Sequence, residues 1–309
     1  MYLYGPVPSR RLGVSLGLDV VPRKTCSLNC VYCQLGPTAR PTLERRRFFD
    51  PEAFFVELQE KAPHLPPIDY ATFSGSGEPM LNADLGGLVR GVKKILHRPV
   101  CVITNGTLTT DPAVRRDLAE ADLLLPSLDA ASQEVFLRVN RPARGLVIAD
   151  IIAGLAELKR ESRGLFHLEI LLVRGLNDSE DELSLLRAAV GRIGPDELHL
   201  NTVVRPPADS SARPVTPERL NEIAGTFEVR TRIIADYAGP VTRARALDLI
   251  AEIEAYLLRR PATTADLAAM LGRDERAVQG ALKDLAAEGK VELVHRDGKV
   301  FYRRKGNGS

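Results

Sequence analysis

Three cysteines lie within eight residues, in the run Cys26-Ser27-Leu28-Asn29-Cys30-Val31-Tyr32-Cys33, spaced as CxxxCxxC. Three thiolates on one loop can each take one iron of a four-iron cubane and leave the fourth iron open to chelate a substrate. The same triplet with one further ligand would close a tetrahedral zinc site, and Cys101 or a histidine would have to supply that ligand. Cys101, the remaining cysteine, sits inside an apolar run over 99–104 and reads as a small buried hydrophobe. A disulfide framework distributes an even number of cysteines along a short secreted chain, which this triplet does not do.

Polar residues recur where apolar, β-branched runs end. Gly75-Ser76-Gly77-Glu78-Pro79 closes the run 70–74; glycines let backbone approach a ligand, and a carboxylate suits an ammonium. Thr104-Asn105 closes the run 100–104, although Asn105-Gly106 is also an ordinary turn sequence. Ser127 and Asp129, two apart at the end of an extended run, point the same way, as a polar clamp requires. The positioning elements follow from the pattern: strands over 13–21, 70–74, 100–104, 123–128, 167–173 and 198–204, with helices over 51–61, 82–96, 112–121, 149–162 and 179–193. Ile151, Ile152, Leu155 and Leu158 carry the helical period. Asp50 before Pro51, Asp111 before Pro112, and Asp178-Ser179 before an acidic turn supply caps. A further short helix and a strand, 229–234, fall within 216–237. Strand and helix alternating about six times imply a parallel sheet with crossover helices. Periodicity fits a doubly wound sheet and a full or partial barrel alike.

The spacing of the triplet, the aromatic Tyr32 before its last cysteine, and its place after the first strand of a repeated β/α unit resemble the radical SAM superfamily. The resemblance implies a partial (β/α)6 TIM-like barrel. It implies that Cys26, Cys30 and Cys33 hold a 4Fe-4S cluster, one per chain, that reductively cleaves S-adenosylmethionine. Methionine and a 5′-deoxyadenosyl radical result, and the radical abstracts hydrogen from a substrate. An electron donor such as flavodoxin or ferredoxin would reduce the cluster. By the same resemblance Gly75, Gly77, Glu78 and Pro79 bind the methionine amino group. Thr104, Asn105, Ser127 and Asp129 contact ribose hydroxyls and the methionine carboxylate, while Tyr32 and the backbones at Leu172, Asn201 and Val203 meet the adenine. Sites at the C-terminal ends of successive strands are where barrel enzymes carry their chemistry. A narrower resemblance rests on Gly5-Pro6-Val7-Pro8-Ser9-Arg10-Arg11-Leu12-Gly13, Cys33-Gln34-Leu35-Gly36, the 75–79 run and the 201–207 run, and covers about residues 4–235. It points to an iron–sulfur oxidoreductase group related to the tRNA wyosine-base synthesis enzymes. Those enzymes carry additional cysteines for a second cluster and a lysine that engages pyruvate. Here only Cys101 is left over, which cannot hold a second cluster. Arg10, Arg11, Arg205 and the run Arg45-Arg46-Arg47 are candidate contacts for an anionic substrate or a reductant.

The last third of the chain differs in kind. Tyr237-Ala238-Gly239-Pro240 marks a boundary, giving a barrel over 1–238, a linker over 239–246 and a module over 247–309. Helices over 247–258, 264–271 and 274–288 precede a hairpin turned by Asp297-Gly298. Three helices followed by a hairpin is the winged helix-turn-helix order, with Leu267, Ala268, Leu271, Val278, Ala281, Leu282 and Leu285 as its core. Arg273, Arg276, Arg296, Lys299 and Arg303 are its candidate contacts with nucleic acid, peptide or protein. This module is expected to be separable from the barrel. A redox-sensing transcriptional regulator built on the same cysteines is the rival reading, and it leaves Glu78, Ser127, Asp129 and Asn201 unexplained.

Composition bounds these readings. The 309 residues are 44% hydrophobic and 27% charged with net charge +2, which suits a globular protein and is too small a charge to indicate nucleic acid by itself. No apolar run approaches the ~20 residues that span a bilayer. The start lacks a basic segment followed by an apolar one, so a cytoplasmic enzyme with no membrane partner is expected.

Overall fold

Local sequence sets the element boundaries. Asp50, Asp111, Ser132, Ser179 and Thr216 each accept a backbone N–H from the first turn of the helix that follows, and proline opens three of those helices. In the computed structural model, residues 2–9, 11–235, 249–271 and 273–305 are described. The strands are β1 (Leu3–Ser9), β2 (Gly13–Leu18), β3 (Tyr70–Phe73), β4 (Val100–Thr104), β5 (Leu123–Pro126), β6 (Leu165–Leu172), β7 (Glu197–Thr202) and β8 (Thr231–Ile233). The helices among them are α1 (Pro51–Lys61), α2 (Leu85–Leu96), α3 (Pro112–Leu118), α4 (Gln133–Val139), α5 (Ile148–Glu161), α6 (Glu180–Ile193) and α7 (Pro217–Ala224).

All eight strands form one sheet in sequential order, with β1 antiparallel to β2 and every later neighbour parallel. A doubly wound sheet reverses its strand order partway across, so that alternative falls away. The sheet curls on itself: Leu12, before β2, packs on Cys101 of β4 and Leu123 and Leu125 of β5. Arg11 meanwhile reaches Glu169 on β6. Among the described residues β1 and β8 are the unpaired edges, consistent with a partial barrel. Alternation along each strand separates two faces. Leu16, Leu18, Phe73, Val102, Leu124, Phe166, Leu168, Ile170 and Leu200 belong to the large core cluster under the helices. Each such fully buried side chain stabilises the fold by ~1.5–3 kcal/mol.

Two elements were not expected from the sequence. β1 is a strand despite two prolines, which an edge tolerates because it leaves one row of N–H groups unpaired. α4 is the other, although Ser132 as its cap and Val135, Phe136 and Val139 on its buried face are a readable helix signature. The helix expected over 82–96 begins only at Leu85, because 79–81 form a separate 3-10 turn.

The C-terminal module holds α8 (Leu249–Leu257), α9 (Thr264–Leu271), α10 (Glu275–Ala287) and the antiparallel hairpin β9 (Val291–Arg296) and β10 (Lys299–Arg304). The expected core residues are all buried in one cluster. The expected boundary, the linker and the first residues of its first helix lie outside the described residues. The module packs against the barrel. Val7 of β1 belongs to the module's apolar cluster. Arg259 pairs with Asp19 after β2, with each side chain less than one-tenth exposed. Arg23 donates to the Leu258 carbonyl, and Arg296 to the Ala212 carbonyl. Among the described residues no helix is long and apolar enough to cross a membrane.

Candidate active site

The cysteine loop leaves the C-terminal end of β2 and is held by the segment that follows α4. Asn29 N–H donates to the Asn140 carbonyl (2.9 Å), Val31 N–H to Val139 (2.9 Å), and Ala143 N–H to Ser27 (2.8 Å). Each sulfur faces an N–H donor. Asn105 Nδ2 lies 3.5 Å from Cys26 Sγ, with the Leu28 N–H on its other side; Asn140 Nδ2 lies 3.4 Å from Cys30 Sγ; Lys24 Nζ lies 3.2 Å from Cys33 Sγ. Burial pushes the Cys26 thiol up to about 12 and that of Cys30 well above the ordinary range, with neighbouring carboxylates and thiols adding to it. Two thiols of the triplet that hold their protons so firmly call for a strong positive centre to take their place. Among the described residues no three His, Cys, Asp or Glu side chains are disposed around one metal ion. Three cysteines on one loop, each sulfur facing an N–H donor, are a donor set that a cluster taking one thiolate per iron would fit.

Beside the loop stands the 75–79 turn, sewn to it by Lys24 N–H to Ser76 O (2.7 Å) and Glu78 N–H to Thr25 O (2.8 Å). Close approach dictates glycine here. A Cβ on Gly77 would lie 2.0 Å from Thr25 O, and Gly75, at φ +134°, would put one 2.8 Å from the Asp19 carboxyl carbon. Glu78 is buried, and its carboxylate accepts from Met80 N–H (3.0 Å), Thr104 Oγ1 (2.7 Å) and Asn105 N–H (2.7 Å). Burial pushes its pKa up to about 7 against the pull of those donors. The carboxylate and the Thr104 hydroxyl hydrogen-bond each other and the turn. They shape the backbone of 75–79 and aim Asn105 at Cys26. Pro79 is buried under the same turn.

Asp129, beyond β5, is the second centre. It accepts from Tyr32 OH, from Asn140 Nδ2 (2.7 Å) and from Leu171 N–H (2.9 Å). Burial pushes its pKa up to about 6. Tyr32, Asn105, Ser127 and Asp129, all expected site residues, line one cavity of about 50 Å³ together with Asn140. Strand alternation leaves only the backbone of Leu172 for the expected adenine contact. Its side chain points into the helix-facing core, and its inward neighbour Leu171 meets Asp129. Val203 is likewise in the core, and the Asn201 amide donates to Glu169 (2.8 Å). A wider cleft of about 410 Å³ lies outside the barrel against α3 and α5, and no cysteine lines it.

The expected substrate contacts divide. Arg10 lies outside the described residues. Arg11 is corrected: both its Nη atoms bond Glu169 (2.6 and 3.2 Å) inside the barrel. Arg45 and Arg47 are spent on Asp117 and Asp84. Arg205 does reach the mouth, where it donates to Gln34 Oε1 at 3.4 Å and meets Tyr256 of α8. On the module, Arg296 bonds the Ala212 carbonyl and Asp297, and Arg303 pairs with Glu292 (2.6 Å). Arg276 and Lys299 are exposed, and Arg273 is half-buried. Sequence reasoning missed Asp19, Asn140, Lys24 and Arg259. Asn140 could have been found through the α4 signature. Nothing local marks Arg259, because its partner is 240 residues away.

Comparison with known proteins gives the same picture. The profile of the Radical SAM superfamily matches residues 20–186. The GTPase Obg of Brachyspira hyodysenteriae is 37% identical over 95% of this chain, which spans only 44% of that relative. A UPF0026 protein of Methanocaldococcus jannaschii is 29% identical over 97% of this chain and 95% of its own length; one of Synechocystis is 35% identical over 66% and 76%. Among solved structures, a radical SAM methyltransferase from Sphaerobacter thermophilus superposes with a TM-score of 0.55 at 20% identity, covering 71% of this chain and 65% of that one. Streptococcus suis SuiB bound to its precursor peptide SuiA superposes with 0.53 at 14% identity, covering 70% and 48%.

Proposed function

Because this chain belongs to the Radical SAM superfamily, we propose that it is an enzyme that holds one 4Fe-4S cluster on Cys26, Cys30 and Cys33 and cleaves S-adenosylmethionine. The observation that carries the reading is the cysteine loop itself: three half-buried thiols, each facing an N–H donor, on a loop stitched by backbone to the 75–79 turn. When bound, the cluster supplies one electron to the sulfonium and frees a 5′-deoxyadenosyl radical for hydrogen abstraction.

The residues of this chain bind, orient and exclude water. The 75–79 turn offers backbone to the methionine amino group, shaped from beneath by Glu78. Asn105 and Ser127 present polar atoms to the cavity, and Asp129 and Tyr32 close its far side as one hydrogen-bonded unit. A flavodoxin- or ferredoxin-like donor suits the cluster, and a cytoplasmic setting suits its thiols. The C-terminal module follows winged-helix order. Its exposed Arg276 and Lys299 are candidate contacts for a nucleic-acid, peptide or protein partner, and a redox-sensing regulator remains the rival reading. The substrate is unassigned, and the wyosine reaction is disfavoured by the shortage of cysteines. The 309 residues contain no GxxxxGK[ST] run to cradle nucleotide phosphates, so the GTPase in the Brachyspira relative's name has no counterpart here.

Anaerobic reconstitution followed by dithionite and S-adenosylmethionine tests the proposal. Bound iron of about four per chain with 5′-deoxyadenosine formed is the expected result. Stoichiometric zinc without nucleoside product would overturn it.

A further inference from the structure

The C-terminal module touches the barrel at a point that matters for the 75–79 turn. Asp19 is the first residue past β2. Its carboxylate accepts from Ser76 N–H (3.0 Å) and Ser76 Oγ (2.5 Å), and from Arg259 Nε (3.1 Å). Arg259 follows α8, 240 residues later in the chain. It lies over the Tyr4 ring, with Cζ 4.3 Å from the centroid. Tyr4 OH is 2.8 Å from Ser74 Oγ, and the Tyr4 ring fills the place a side chain on Gly17 would occupy. The turn is thus gripped from two sides. The cysteine-loop backbone holds Ser76 O and Glu78 N–H, and the Asp19 carboxylate holds Ser76 N–H and its hydroxyl. Among the described residues Arg259 is the one cation within ion-pair distance of that carboxylate, and both side chains are nearly excluded from water. A buried carboxylate that loses its cation either draws in water or takes a proton, and either change loosens its other hydrogen bonds.

We propose that Arg259 and Asp19 are positioning residues for S-adenosylmethionine: docking of the C-terminal module through this pair fixes the 75–79 turn in its binding conformation. The module is then part of the active site as well as a surface for partners. This rests on the reading of 75–79 as the turn that binds the methionine amino group.

Binding of S-adenosylmethionine to the anaerobically reconstituted full-length protein tests it, by equilibrium dialysis and by the change in the cluster's electron paramagnetic resonance spectrum on adding the ligand. Arg259→Ala and Asp19→Asn should each weaken binding by roughly tenfold or more, the usual cost of stripping a buried charge of its partner, with iron content retained. Arg259→Lys should recover part of the loss. The double variant should be no worse than the poorer single one, because both remove the same interaction. Val92→Ala, which opens a cavity beneath α2 far from the turn, controls for lost stability and should leave the affinity as it was. Single variants that bind within about twofold of the parent, or a Val92→Ala protein that binds as poorly as they do, would overturn the proposal. If the parent holds its cluster and binds no S-adenosylmethionine, the reading of the turn fails instead.

Discussion

The two ends of the barrel lumen are built on opposite principles. At the mouth, where the strands end, polar groups are buried in networks that converge on three sulfurs: Glu78 with Thr104 and Asn105, Asp129 with Tyr32 and Asn140. At the floor, Leu12, Cys101, Leu123 and Leu125 form an apolar plug. Above it the Arg11–Glu169 pair and the His199–Glu197 contact satisfy each other. Both ends contain a cysteine, buried charge and hydrogen bonds, so residue type alone does not separate function from architecture. The mouth has donors aimed at sulfur and glycines pressed against the cysteine loop. The floor has side chains that pair largely with one another, away from the cysteine loop.

The sharpest way to break this comparison is to remove the thiols. Cys26, Cys30 and Cys33 changed together to Ala should abolish iron binding after anaerobic reconstitution, and Cys101→Ser should leave iron content at the parent's level. Iron lost in the Cys101 variant would place that thiol in the site and erase the distinction. The next largest effect is at the floor. Arg11→Ala removes a charge-assisted pair from the buried Glu169 carboxylate and should cost ~1–3 kcal/mol in denaturant unfolding, with iron content unchanged.

The two ends should also respond to pH in opposite directions in the iron-free protein. Burial raises Glu78 to about 7 from its ordinary 4.5, so the folded state binds its proton more tightly than the unfolded state does. That contribution is intact below pH 4.5 and is lost as pH rises toward 7, amounting to about 3 kcal/mol. His199 is lowered to about 4 from 6.5, chiefly by burial, so the unfolded state binds its proton first. Its contribution is present above pH 6.5 and fades as pH falls toward 4, by about 3 kcal/mol. Between these values the slopes partly cancel. Unfolding free energies measured across pH 4.5–6.5 should rise more steeply with pH in Glu78→Gln than in the parent, and His199→Gln should give a steeper fall. Parallel pH profiles for parent and both variants would show that neither group titrates as its burial requires.

The smallest expected effect lies on the hairpin. Lys299 is exposed, so Lys299→Ala should leave stability within ~0.5 kcal/mol. If the module meets RNA, the same change should reduce the salt dependence of binding in gel-shift assays by one phosphate contact, about 0.7 in log–log slope. An unchanged slope removes this residue from the contact surface.

The sequence by itself determined a good deal. CxxxCxxC spacing, the glycines of 75–79 and polar residues at strand ends are local patterns, and each was readable because the chemistry they serve needs particular residue types at fixed separations. Six parallel strands and the helices between them were legible from apolar period and from Asp50, Asp111 and Ser179 as caps, since capping and amphipathicity act within one or two turns. Tertiary structure decided the rest. Period-two alternation placed Leu172 in the core and turned Leu171 inward, a distinction that depends on which face of the curled sheet became lumen. Arg11 looked like a substrate contact until folding set it against Glu169, 158 residues away. Glu78 reads in the sequence as a ligand-binding carboxylate, and only folding set its three donors from its own chain around it. Asp19 and Arg259 carried no local signal at all, because an ion pair between the first strands and the last helices exists only once both have folded and docked.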